Sequence, residues 1–208
     1  MKHHAPQTRE SGWNLTVALT GASGTIFCRE LLIALENDGR VARVNFVPSE
    51  NPLRVVAEEL QLSGRNALVE KLVGKPSQKI AQCAESDVGA GIASSSYPSD
   101  GMIVLPCSMG TLGGIANGLA RNLIERAADV CLKEERPLLL CVREAPFNKI
   151  HLRNMTLAAD AGAVIYPLIP TLYNQPVDTT EMARQFSFRL LGHLGLPQEG
   201  AYIWRGDD

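Results

Sequence analysis

The stretch that decides the fold is LTVALTGASGTIF, which runs from Leu15 to Phe27. Its apolar start, rich in branched side chains, predicts a buried strand that ends at Thr20 and Gly21. Beyond Gly24 the apolar spacing becomes helical, which predicts a helix directly after the strand, carried by Ile26, Leu31, Leu32 and Leu35. A strand that breaks on glycine and restarts as a helix presents unpaired backbone N–H groups, which favour an anion, usually phosphate.

Two glycines in this turn let a ligand approach the backbone closely, and Ser23 between them adds a hydroxyl. The third glycine of the dinucleotide-binding fingerprint is absent, so the turn is not that motif. The alternative is a tight strand-to-helix turn in which Ser23 only caps the helix.

The composition fits one globular domain with a substantial core, since the chain has 208 residues and 45% hydrophobic content. A net charge of -2 is too balanced to suggest nucleic acid or an anionic membrane as a partner. We expect no membrane span and no signal peptide. The cysteines are odd in number and scattered, which fits reduced thiols in a cytoplasmic protein: Cys28, Cys83, Cys107, Cys131 and Cys141.

Strands and helices alternate along the chain. Apolar runs predict further strands over 41–49, 101–108, 137–144 and 163–170, and helical spacing predicts helices over 51–60, 122–137, 148–162 and 179–195. Residues 64–85 are polar, with one short helix at 68–73, and Thr179 or Thr180 is expected to cap the last helix. We therefore predict an α/β domain with a doubly wound parallel sheet over 14–197, a disordered tail over 1–13 that contains His3 and His4, and a C-terminal tail over 198–208.

Ligands of such sheets bind at the carboxyl ends of the strands, where this chain collects small, hydroxyl and charged residues. Those residues are Gly21, Ala22, Ser23, Ser49, Cys107, Ser108, Thr111, Arg143, Glu144 and Tyr173. The set suits a phosphorylated ligand with a polar planar part, and no His, Cys or Asp cluster has the spacing of a metal site. The alternatives are that Ser108 and Thr111 only cap a helix, that Arg143 and Glu144 form a local ion pair, and that Cys107 is a small buried residue.

Four segments carry a resemblance: TGASG near the start, PCSMGTLGGIANG in the middle, NLIERAADVCLKEERPLLLCVREAPF after it, and YNQP near the end. In this order and at these separations they resemble the UbiX family of flavin prenyltransferases. The resemblance runs from about Leu15 to the last predicted helix, and the stretch from Asn122 to Phe147 is highly specific.

The resemblance implies a flavodoxin-like (Rossmann-like) subunit that assembles into trimers and then dodecamers. It implies that reduced FMN is bound, usually between subunits, and that dimethylallyl monophosphate gives its prenyl group to flavin N5 and C6. The prenylated FMN would then serve a partner decarboxylase of the UbiD class.

The resemblance also implies roles for single residues. Three of them, Arg126, Lys133 and Arg189, would be placed on solvated helix faces by their spacing alone. The residues matched to flavin contacts are Gly21, Ala22, Ser23, Ser49, Ser108, Met109, Gly110, Thr111, Arg126 and Arg143. The residues matched to the donor and its phosphate are Ser94, Ser95, Ser96, Lys133, Arg143, Glu144, Tyr173 and Arg189. The catalytic candidates are Ser23 as a proton relay near N5 and Lys133 beside the leaving phosphate. The candidate base at C6 is the departed phosphate, or Glu144 or Glu59 acting through it.

Two positions depart from the family pattern. The family commonly has SKAA where this chain has Ser49-Glu50-Asn51-Pro52, which reverses a charge beside the flavin loop. The SGS turn is Ser94-Ser95-Ser96 here, which restricts the backbone at an expected phosphate contact. Two other functions stay open: a flavin-dependent cysteine decarboxylase of the same fold, and a non-catalytic FMN carrier.

Overall fold

The computed structural model describes residues 12–50, 52–62, 64 and 66–204. Most of the predicted N-terminal tail, with His3 and His4, lies outside the described residues, as do 205–208. The strands are β1 Trp13–Leu19, β2 Val41–Pro48, β3 Ile80–Gln82, β4 Gly101–Cys107, β5 Leu138–Val142 and β6 Val164–Ile165. The helices are α1 Thr25–Asn37, α2 Pro52–Leu60, α3 Leu68–Val73, α4 Met109–Ala116, α5 Leu123–Lys133, α6 Lys149–Asp160 and α7 Thr179–His193, with a 3-10 turn at Gly91–Ala93.

The strands form one parallel sheet in the order β3-β2-β1-β4-β5-β6, which confirms the predicted doubly wound fold. Without the short edge strand β3, this is the flavodoxin-like order. β1 pairs with β2 on one side and with β4 on the other, so the connections leave β1 and β4 in opposite directions. A crevice between their carboxyl ends is the expected ligand site of such a sheet.

Two apolar layers cover the faces of the sheet. Leu15, Val17 and Leu19 of β1 pack with α1, α3 and α7, whereas Ala18 packs with α4, α5 and α6 on the other face. β1 is therefore covered on both faces, which is why its sequence is a continuous apolar run.

Three local predictions were wrong. The strand expected over 163–170 is regular only at Val164–Ile165, although the N–H groups of Tyr166 and Leu168 still donate to the carbonyls of Leu140 and Val142 in β5. The short strand β3 lies in a segment for which a helix and loops were predicted. It can form from this polar sequence because, at the edge of the sheet, it pairs with β2 alone. The cap of α7 is Asp178, whose carboxylate accepts the N–H of Glu181 at 2.7 Å.

Candidate active site

Backbone hydrogen bonds join the loops that leave the carboxyl edge of the sheet. The N–H of Ser49 donates to the carbonyl of Leu19 at 2.9 Å, and that of Arg143 donates to the carbonyl of Cys107 at 3.2 Å. These contacts bring the predicted flavin residues of β1, β2, β4 and β5 to one edge, as the sequence predicted.

Thr20 joins the ends of the two strands that flank the crevice. Its buried hydroxyl donates to the carbonyl of Pro106 at 2.7 Å and accepts the N–H of Ser108 at 2.8 Å. Sequence reasoning treated Thr20 only as the end of a strand and missed this function. The available signal was a hydroxyl residue placed directly after a buried apolar run.

A carboxylate already occupies the start of α1. The N–H of Thr25 donates to Glu59 at 2.7 Å, and that of Gly24 lies 3.0 and 3.1 Å from the two carboxylate oxygens. The anion at the amides of Gly24 and Thr25 is therefore the Glu59 carboxylate, and the alternative that Ser23 caps the helix is wrong. Gly24 is the N-cap, at φ 115°, and a Cβ there would lie 2.6 Å from the Leu168 side chain.

Hydrogen bonds hold Glu59 in its ionised form. Burial, the largest single influence, raises its pKa, but donation from the Ser23 hydroxyl and from the N–H groups of Thr25 and Gly24 outweighs it. The net effect lowers the pKa of Glu59. The contact places two predicted catalytic residues, Ser23 and Glu59, side by side.

The start of α4 is different, because its own serine caps it. The Ser108 oxygen accepts the N–H of Thr111 at 3.3 Å, and the two hydroxyls are 3.1 Å apart. Ser108 is thus the cap of α4, a role that leaves it able to contact a ligand as well. The first amides of a helix have no partner within it, so those of Met109 and Gly110 can meet a ligand.

The loop with the predicted phosphate serines packs on α5. The hydroxyls of Ser94 and Ser96 are exposed and lie 2.9 Å apart. Arg126 donates to the carbonyl of Ala93 at 3.1 Å and pairs with Asp129 at 2.6 Å. The structure therefore brings Arg126 to the base of this loop.

Arg143 and Glu144 are both exposed at the end of β5. The Glu144 carboxylate accepts the N–H of Ala145 at 2.9 Å, and the residues that the structure describes include no ion pair between Arg143 and Glu144. The alternative of a local ion pair is therefore wrong, and both charges face solvent at the ligand edge.

The remaining donor residues are spread over the surface of the single chain. Tyr173 is 73% exposed, with its ring centroid 5.4 Å from that of Trp204. Arg189 is exposed on α7. Burial raises the pKa of Tyr166, and the nearby charge of Arg189 opposes this rise in part. Nζ of Lys133 lies 3.7 Å from Oε1 of Glu134. Within the described residues, no hydrogen bond, ion pair or ring contact joins Lys133, Tyr173 and Arg189 to one another.

Burial raises the pKa of all five cysteine thiols, which makes them poor nucleophiles. Cys107 is fully buried, and burial raises the pKa of its thiol to about 12, which confirms that it is a small buried residue. Among the described residues, no group of three or more His, Cys, Asp or Glu side chains is arranged to hold a metal ion. None of the described helices has the length and apolar character needed to cross a membrane.

Known proteins match this chain over nearly its whole length. The family model described as Flavoprotein matches residues 3–185. The flavin prenyltransferase UbiX of Pseudomonas aeruginosa is 39% identical over 196 residues, which cover 91% of this chain and 93% of that protein.

Two solved structures share the fold at similar identity. AnUbiX (PadA1), in complex with FMN and dimethylallyl pyrophosphate, has a TM-score of 0.84 and 34% identity, covering 95% of this chain and 100% of its own. A dodecameric FMN-dependent UbiX-like decarboxylase from Escherichia coli O157:H7 has a TM-score of 0.83 and 37% identity, covering 93% of this chain and 100% of its own. The chain therefore belongs to the flavoprotein family and, within it, to the UbiX flavin prenyltransferases.

Proposed function

We propose that the protein is a flavin prenyltransferase that joins a dimethylallyl group, from dimethylallyl monophosphate, to N5 and C6 of reduced FMN. The observation that carries the proposal is the pair of helix starts at the crevice, one closed by Glu59 beside Ser23 and the other capped by Ser108. A neighbour of the same fold that binds FMN together with an allylic diphosphate supports it.

The residues at the carboxyl edge fit FMN. Gly21 and Ala22 are small enough for a flat ring to approach the backbone, and the amides at the start of α4 suit a phosphate. Ser49, Ser108 and Thr111 add hydroxyls, and Arg126 and Arg143 add positive charge. When bound in its reduced form, FMN supplies the nucleophilic N5 and C6 atoms.

The donor's phosphate needs positive charge as it leaves, because it departs as a dianion while the prenyl group gains cationic character. Lys133, Arg143, Arg189 and the Tyr173 hydroxyl supply that stabilisation, with the hydroxyls of the 94–96 loop as further donors. Such a set needs no metal ion. A closed subunit interface would exclude water from the cationic carbon.

Ser23 and Glu59 form the proton path on the flavin side. The Ser23 hydroxyl is close enough to Glu59 to lower the pKa of that carboxyl, and its oxygen lone pairs can accept a proton near N5. Glu59 is held ionised and can take that proton through Ser23. The departed phosphate is the base that takes the proton from C6. Glu144 or Glu59 then receives that proton from the phosphate.

Assembly of subunits would complete the site. Large apolar side chains are exposed beside Tyr173, among them Leu172 at 69%, Val177 at 91% and Trp204 at 68%. An exposed apolar area of this kind marks an interaction surface, and we propose trimers that assemble into dodecamers with FMN bound between subunits. The product would serve a UbiD-type decarboxylase in the cytoplasm.

The test is anaerobic incubation with reduced FMN and dimethylallyl monophosphate, followed by mass spectrometry of the released flavin. A flavin heavier by one dimethylallyl unit is expected. Unchanged flavin with both the monophosphate and the diphosphate would instead indicate an FMN carrier. Carbon dioxide released from a cysteine substrate would indicate the cysteine decarboxylase.

A variant assigns the donor site. Arg189→Ala should weaken binding of dimethylallyl monophosphate while FMN stays bound, because only the phosphate contact is lost. Prenylation by this variant at the normal rate and with normal donor affinity would show that Arg189 has another role.

A further inference from the structure

We propose that Arg136 is a positioning residue for the prenyl donor: it fixes the backbone on both sides of Ser96 and so presents the 94–96 hydroxyls to the donor's phosphate. The inference rests on the proposed function, in which this loop receives that phosphate. It adds a residue that acts through the loop and does not itself touch the donor.

The guanidinium of Arg136 binds two carbonyl groups of the loop. Nη2 donates to the carbonyl of Ser95 at 2.7 Å, and Nη1 donates to that of Tyr97 at 3.0 Å. These carbonyls flank Ser96, so one rigid planar group sets the distance between them and restrains the conformation of Ser96.

The end of α5 directs Arg136 toward the loop. Glu135 follows the helix in the left-handed conformation, at φ 52°, and the N–H of Arg136 donates back to the carbonyl of Cys131 at 2.8 Å. This turn fixes the backbone of Arg136 at the point where the chain leaves α5 for β5.

Other contacts hold the two ends of the loop, while its central carbonyl is held by Arg136. Ile92 is buried before the serines, and the Tyr97 hydroxyl donates to Asn45 at 3.2 Å after them. Arg126 binds the carbonyl of Ala93 at 3.1 Å. The carbonyl of Ser95, at the centre, accepts from Arg136.

This arrangement explains how a phosphate site can be preformed. The hydroxyls of Ser94 and Ser96 lie 2.9 Å apart and are exposed, so both can donate to one phosphate group. Keeping them in place before binding lowers the conformational entropy lost when the donor arrives. Without the guanidinium, we expect the loop to remain folded at both ends but to lose the fixed spacing of its hydroxyls.

The experiment compares Arg136→Met and Arg136→Lys with the wild type, each loaded with FMN. Arg136→Met should raise KM and Kd for dimethylallyl monophosphate about tenfold, with kcat and FMN affinity changed less than about twofold. Arg136→Lys should give an intermediate value, because an ammonium is a point charge that does not span two carbonyls in a fixed geometry. Arg184→Met, which removes a surface pair with Glu181 on α7, is the matched control and should change neither constant.

Two results would overturn the role of Arg136. One is a wild-type KM and Kd for the donor in Arg136→Met. The other is an equal loss of FMN affinity, kcat and donor affinity, which would indicate a general structural role. If the wild type binds the donor but makes no prenylated flavin, the proposed function fails while the donor Kd still decides the role of Arg136. If the wild type does not bind the donor, both proposals fail.

Discussion

The helices α1 and α4 begin side by side at the same sheet edge, yet their starts are built differently. At the start of α1, the amides of Gly24 and Thr25 donate to the carboxylate of Glu59, which is 35 residues from Gly24 in the chain. The start of α4 is capped by its own Ser108, which satisfies the amide of Thr111 and leaves earlier amides for a ligand. Equivalent positions in the fold therefore have opposite electrostatic roles.

The difference shows where an anion can bind. A helix start that already holds a carboxylate repels a second anion, whereas one capped by a neutral hydroxyl still attracts it. The flavin phosphate is accordingly expected at α4, and the start of α1 is expected to serve the proton chemistry of Ser23. Four variants break or sharpen this comparison.

The largest effect is expected for Thr20→Val, which removes the hydroxyl that joins the end of β1 to the start of α4. It leaves the carbonyl of Pro106 and the N–H of Ser108 without that buried partner, so we expect a loss of about 2 kcal/mol in unfolding free energy. Urea unfolding measures this loss of stability, and an FMN titration measures the effect on flavin binding. Thr156→Val, whose hydroxyl bonds Leu152 on an exposed helix face, is the control. A Thr20 variant as stable as the control would contradict the assignment.

Ser108→Ala removes the hydroxyl that caps the start of α4. Loss of the cap should lower the unfolding free energy by about 1 kcal/mol and should also weaken FMN binding. Asp178→Ala removes the side-chain cap of α7, which is a carboxylate, and should lower stability while leaving FMN affinity unchanged. Unchanged FMN affinity in the Ser108 variant would place the flavin phosphate elsewhere.

Glu59→Gln removes the charge from the α1 start. Because the folded-state pKa of Glu59 is lowered, its contribution is present above the unfolded value of about 4.3 and is lost as the pH falls through the folded value. The variant should be less stable than the wild type by less than 1 kcal/mol, roughly, at pH 7, and the difference should disappear in acid. Chemical unfolding at several pH values measures it. A gap that stays constant with pH would exclude a charge effect. Glu199→Gln, at an exposed position outside the helices, is the control.

Asp38→Asn is expected to have the smallest effect and tests a lowered pKa at the opposite edge of the sheet. A hydrogen bond from Arg40, at 2.6 Å, is the main cause that lowers the pKa of Asp38 to about 2. The pair is partly exposed, so its loss should reduce stability by about 0.5 kcal/mol above pH 4 and by less as the pH falls toward 2. FMN affinity should not change, in contrast to the Ser108 variant. A change in FMN affinity would show that the two edges are coupled.

Much of the fold follows from local sequence. The apolar runs and the periodic helices gave the parallel sheet, and the residues after each strand gave the edge where Gly21, Ser49, Ser108 and Arg143 meet. This works because a parallel sheet brings the carboxyl ends of its strands together whatever the details of packing. The cap of α4 was also among the alternatives, since Ser108 and Thr111 have the spacing of a local cap.

The sequence by itself therefore determined the element types, the doubly wound sheet and the edge that carries the candidate site. Tertiary structure alone decided that Glu59 closes α1, that Thr20 joins β1 to β4, and that Arg136 holds the 94–97 loop. Glu59 and Gly24 are 35 residues apart, and Arg136 and Ser95 are 41 apart. Hydrophobic periodicity records which face of an element is buried, but it carries no information about which distant polar side chain reaches a given amide or carbonyl. Those pairings arise only when packing has placed the elements and their polar groups must find partners.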